Sequence, residues 1–120
     1  MCHSARLHQV NPEVEDMTEA ERFLVAMERI FSEALDIIQK KNSDYANSDD
    51  PFANFKDVME DGLTVERGML VRMRDKMRRI SNLLERPPEV ADEPLRDSCI
   101  DLANYALILA VWLDWSVRLD

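Results

Sequence analysis

Glycine is nearly absent from this 120-residue chain: it has only 2, with 5 prolines and few aromatics, at 7%. Such a low glycine count leaves no Gly-rich phosphate-cradling loop, and no strand pattern stands out. Two cysteines, Cys2 near the terminus and Cys99 in an apolar segment, exclude a disulfide framework and point to a reducing compartment. A basic excess is missing as well. The 15 Lys and Arg are outnumbered by 24 Asp and Glu, for a net charge of −9, which argues against a general nucleic-acid binder. A small anionic ligand stays open, because local clusters matter more than the total. Apolar runs are short. The longest, around Leu102 to Leu113, falls below bilayer-spanning length and contains Asn104. The N-terminus shows no apolar core resembling a signal sequence. A soluble, cytoplasmic protein is expected.

What is present reads as helix. Hydrophobic residues at 46% and charged residues at 32% are globular values, and the length suits one domain. Residues 1–17 have no sustained period and are expected to form a mobile arm, in which Cys2 and His3 do not make a metal site. The single domain then spans residues 18–120. Thr18 with Glu21 forms a capping box, and Leu24, Met27, Ile30, Phe31, Ala34, Leu35 and Ile38 recur at helical spacing to about Lys41. The segment 42–63 is a linker with a short helix around Asn54 to Glu60, stopped by Gly62. Thr64 caps a middle helix whose apolar stripe is Leu70, Met73, Met77, Ile80 and Leu84, ended by Pro87 and Pro88. Asp92 or Glu93 with Pro94 starts the closing helix. The fold class is all-α: a compact bundle of three main helices, its broad apolar faces pointing to a homo-oligomer.

Three constellations can carry chemistry. Asp97, Asp101 and Asn104 fall at i, i+4, i+7 on the closing helix and share a face. Carboxylates among apolar neighbours need cations, a metal or donors. They otherwise read as surface polars or a network fixing helix register. The middle helix carries Arg72, Lys76 and Arg79 at the same spacing, with Arg78 adjacent. That ladder suits phosphate, or it is a solvated face with Asp75 paired to Arg72 and Arg79. The linker KKNSDYANSDDPFANF places Lys41, Asn42, Asp44, Tyr45, Phe52, Asn54 and Phe55 in one loop. Aromatics with amides there can stack on a base and read its edge, or plug the bundle while Asp and Asn make turns. Asp49 and Asp50 read as turn chemistry before Pro51.

Taken together, KKNSDYANSDDPFANF, VRMRDKMRRISNLL and RDSCIDLANYALILA resemble the nucleotide modification associated domain 1 family over roughly residues 20–115. These are small helical proteins common in phage genomes and linked to nucleotide metabolism or base modification. A looser likeness is to MazG-type all-α nucleotide pyrophosphohydrolases, which hold Mg²⁺ over a triphosphate with paired carboxylates. Asp101 with Tyr105 resembles their second motif, and Asp97 can stand for an upstream acid. The middle helix departs from the pattern: beside Asp75 it offers cations where a metal site needs acids. The leading expectation is thus a phage-type nucleotide-binding protein in the host cytoplasm, sequestering a phosphorylated signal nucleotide without hydrolysis. Arg72, Lys76 and Arg79 would contact phosphates. Asn42, Tyr45, Phe52, Asn54 or Phe55 would hold base or sugar, with Lys41 and Asp44 also at the ligand, and Asp97, Asp101, Asn104 and Tyr105 would orient the cations or the ligand. The alternatives are a Mg²⁺-dependent hydrolase with Asp75, Asp97 and Asp101 as metal ligands, and an adaptor for a base-modifying enzyme.

Overall fold

A computed structural model describes residues 16–44, 50–52, 56, 62 and 64–118. They form three helices: α1 (Glu19–Asp44), α2 (Val65–Leu83) and α3 (Pro88–Arg118), with no strand among the described residues. The chain is all-α. It divides into two compact units, residues 1–33 and 34–120, with the boundary inside α1.

In the first unit, α1 starts at the expected capping box. The Glu21 N–H donates to Thr18 Oγ1 at 3.1 Å, and the Thr18 N–H donates to Glu21 Oε1 at 3.2 Å. Two otherwise orphaned backbone donors are satisfied reciprocally. The hydroxyl and backbone hydrogen bonds from Thr18 hold the Glu21 carboxyl below its ordinary range.

The second unit is organised by α2 and α3, its principal helix pair. Gly62 has φ +80, a left-handed conformation. Nothing lies within 4 Å of where its Cβ would be, so backbone conformation and not space favours glycine there. Thr64 then caps α2, its side chain accepting from the Arg67 N–H at 3.2 Å. Lys56 is helical and its N–H reaches Phe52 O at 3.1 Å. The rest of the short helix expected over residues 54–60 lies outside the described residues, as does the N-terminal arm before Asp16.

Two expectations need correction. The closing helix begins at Pro88, not near Asp92. Pro88 sits at the first helical position, where its missing N–H costs nothing, so the two prolines separate α2 from α3 by a tight turn. Pro94 is tolerated inside α3, and its carbonyl gains a donor from Ser98 Oγ at 2.7 Å. The second correction concerns α2. Its fully buried positions are Val65, Gly68 and Met69, while Met77 and Leu84 of the expected apolar stripe are 59% and 67% exposed. At about 100° per residue, the face turned to α3 is rotated by roughly 100° from that stripe. Arg72 and Lys76 lie on this contacting side, half-buried. The reason is polar: α3 presents Asp101, and Lys76 meets it.

The core sits at the junction between the start of α2 and the later turns of α3. Phe52, Val65 and Met69 are buried, with Tyr105, Ile108, Leu109 and Trp112 packed on them. Phe52 makes edge-to-face contacts with Trp112 and Trp115, centroids 5.0 and 5.5 Å apart, the geometry aromatic quadrupoles prefer. The Trp112 indole N–H donates to the Glu66 carboxylate. Phe52 is placed by Asp50, which accepts its N–H at 2.9 Å and pairs with Lys56 at 2.5 Å. The turn role read for Asp50 is what the geometry shows. Farther along, Asn104 is buried and its Nδ2 donates to Ala34 O at 3.2 Å, fixing α3 to the C-terminal part of α1.

One 18-residue window of α3 reaches a mean hydropathy of 1.2, so by length and composition this helix is able to cross a membrane. Asp101 and Asn104, inside α3, are bonded to protein groups.

Candidate functional site

The chemistry gathers in the other half of the α2–α3 pair, toward the turn. α2 brings Asp75, Lys76, Arg78, Arg79 and Asn82 to one cleft, the turn brings Arg86, and α3 closes one side with Val90 and Pro94. The cleft holds ≈ 680 Å³ and is open to solvent. Four cations against one carboxylate line it, in a chain whose net charge is −9.

Each basic group is placed by its neighbours. Lys76 Nζ sits 3.0 Å from Asp101 Oδ2, and Lys41 Nζ lies 3.8 Å from Asp101 Oδ1. One carboxylate on α3 therefore sits between a cation on α2 and another on α1. Arg79 Nε donates to Ser98 Oγ at 3.2 Å, and Ser98 is buried and itself donates to Pro94 O. This chain of two bonds fixes the Arg79 stem against the proline turn of α3 while its guanidinium lines the cleft. Arg78 lies 3.9 Å from Asp75, both well exposed. The expected pairing of Asp75 with Arg72 and Arg79 is thus corrected: i, i+3 proximity on the outer face brings Arg78 to it, while Arg79 turns to Ser98. Exposed pairs of this kind are worth little.

The acidic and basic stripes do meet within one chain, through Lys76 and Asp101. The three polar positions of α3 nevertheless occupy different surroundings: Asp97 is exposed, Asp101 is half-buried and paired, and Asn104 is buried. Asp75, Asp97 and Asp101 do not converge. Among the described residues no three His, Cys, Asp or Glu side chains are grouped to hold a metal ion. Two lysines at Asp101 supply positive charge where a divalent cation would have to sit, which disfavours it there.

Of the other expected ligand residues, those that are described do not line this cleft. Phe52 is buried in the core, and Tyr105 packs against it. Lys41 is 57% exposed beside Asp101, and Arg72 is half-buried without lining the cleft. Asn42 and Asp44 fall in the last turn of α1, their side chains outside the described residues, and Tyr45, Asn54 and Phe55 lie outside them altogether. Conversely, sequence reasoning passed over Asn82, Arg86 and Ser98. Arg86 carried a signal, since it directly precedes the Pro-Pro pair that folds α3 back beside α2. Ser98 carried none, because its role depends on Pro94 being inside a helix.

Comparison with known proteins returns no match: no family model, no curated protein and no solved structure resembles this chain closely enough to name a relative.

Proposed function

We propose that the protein binds a phosphorylated nucleotide at the α2–α3 cleft and holds it without hydrolysis. The observation that carries this reading is the convergence of Lys76, Arg78, Arg79 and Arg86 on one open cleft of an otherwise acidic chain. Arginine forks suit phosphate oxygens bidentately, and lysine adds a point charge. Asn82 on the same wall offers both donor and acceptor for a sugar or base edge. Asp101, held by two lysines, serves to orient Lys76 rather than to bind metal. The role we propose for such binding is sequestration of a signal nucleotide in the cytoplasm of an infected cell. Because the cleft is open in a single chain, enclosure of the ligand calls on an assembly of copies.

The test is chromatography of a mixed linear and cyclic nucleotide pool after incubation with protein and Mg²⁺. Free and heat-released bound fractions are separated and compared. A nucleotide recovered intact from the bound fraction, and lost in a folded Lys76→Ala, Arg79→Ala variant, is the expected result. Conversion of a nucleotide to new products would restore the hydrolase reading. An empty bound fraction alongside a stoichiometric protein partner would favour the adaptor.

A further inference from the structure

The described part of the first unit is one helical segment reaching Glu33. A helix of about 15 residues is marginal in water without a packed face. Its apolar face is nevertheless bare: Phe23, Leu24 and Phe31 are 61%, 60% and 53% exposed. Leu24, Met27, Phe31, Ala34 and Ile38 alternate at spacings of three and four, the period of a helix–helix seam. In the second unit the seam is occupied, with Ala34 buried and Ile38 half-buried. Toward the N-terminus Met27 is half-buried while Leu24 and Phe31 stay exposed. By helical period, Glu21 and Glu28 border the exposed part on one side and Glu19 on the other, while Arg22, Arg29 and Glu33 fall on the back.

A second surface of the same chain has the opposite character. The α2 stripe of Leu70, Met77 and Leu84 lies beside the α3 contact, with Met77 and Leu84 well over half exposed. Arg67, Arg74 and Arg78 run along its outer border. The two stripes match in length, since residues 19–33 and 70–84 each span about 22 Å of helix. One is bordered by acids and the other by arginines.

We infer that the chain self-associates by reciprocal exchange. The helical segment before Glu33 of each copy lies on the Met77–Leu84 stripe of α2 in the other, acidic borders against arginines. A second copy is the fitting occupant because both complementary surfaces belong to one chain. A two-fold pairing then covers both at once and closes without leaving a further site. This deepens only the proposal that the chain assembles with itself. Arg78 lies at the edge of both surfaces, so the test leaves it unchanged and is read without nucleotide.

The experiment is sedimentation velocity without nucleotide on the full chain, on Glu19→Lys, Glu28→Lys, on Arg67→Glu, Arg74→Glu, and on an equimolar mixture of the two variants. Wild type is expected at twice its 14.0 kDa mass. Each double variant sets like charges across both contacts and is expected to weaken dimerisation by roughly tenfold or more. The mixture should regain the dimer, since each contact again joins opposite charges. A monomeric wild type, double variants that dimerise like wild type, or a mixture that stays monomeric would each overturn the inference. Circular dichroism checks that the variants are helical. If a charge variant is not, Leu24→Ser, Phe31→Ser in the wild-type background takes its place and must likewise dissociate the dimer.

Discussion

Asp101→Asn separates anion binding from metal chemistry because the two give opposite signs. The carboxylate lies 3.0 Å from Lys76 Nζ, and a phosphate oxygen accepting from the far side of that ammonium would sit about 6 Å from Asp101. Like charges at that separation repel by about 0.7 kcal/mol at the permittivity of water and about 2.8 kcal/mol at an effective value of 20. Removing the charge should therefore tighten phosphate binding by roughly threefold to hundredfold, with the larger gain at low salt. Both partners of the pair are about one-quarter exposed, so Lys76 can re-solvate, and the stability loss should stay within about 1 kcal/mol. Isothermal titration with ATP, at two ionic strengths, reads the change, and thermal denaturation checks the fold. Weaker binding of ATP by a variant as stable as wild type would refute this reasoning. It would mean that the hold of Asp101 on Lys76, or a contact of its own with the ligand, outweighs the repulsion of its charge.

Other outcomes follow from the same contacts. Met69, completely buried against Phe52 and Val65, should cost about 2–5 kcal/mol on replacement by alanine, read as a lower Cm in urea. Thr64→Ala removes the α2 cap bond to Arg67 and should cost about 1 kcal/mol in the same titration. The Trp112 indole bond holds the Glu66 carboxyl below its ordinary range, and the Lys56 ammonium does the same to Asp50. Both folded-state values lie below the unfolded ones, so their stabilisation is complete above the ordinary carboxylate pKa of about 4.3 or below. It is lost as pH falls through the depressed folded values. Tryptophan fluorescence followed during denaturation at successive pH values should show that loss, and Glu66→Gln should reduce it. An unchanged acid limb in Glu66→Gln would show that the indole bond does not govern it.

Helix identity was legible because the chain states it locally. The Thr18–Glu21 box, the Thr64 cap and the positive φ at Gly62 follow from side chains acting within a few residues of themselves. Which way α2 faces was not legible. Hydrophobicity alone favours Met77 and Leu84 as the inner stripe, yet the Lys76–Asp101 pair and the small Gly68 turn a different side to α3. The start of α3 was obscured because Pro94 reads as a boundary, whereas Pro88 fills the first helical position. In the site, the cationic ladder was visible at Lys76 and Arg79. Arg86 joins them only because the Pro-Pro turn brings it back, and Phe52 leaves the expected site because Asp50 turns it into the aromatic core.

The most direct test of the central claim is to watch where a nucleotide lands. Amide and side-chain resonances of isotope-labelled protein are followed as ATP is added. Saturable shifts at Lys76, Arg79, Asn82 and Arg86, with the Trp112 indole N–H unmoved, are expected for a ligand in the α2–α3 cleft. Shifts confined to the Phe52–Trp112 end, or no saturable shift at the four cleft residues, would contradict it.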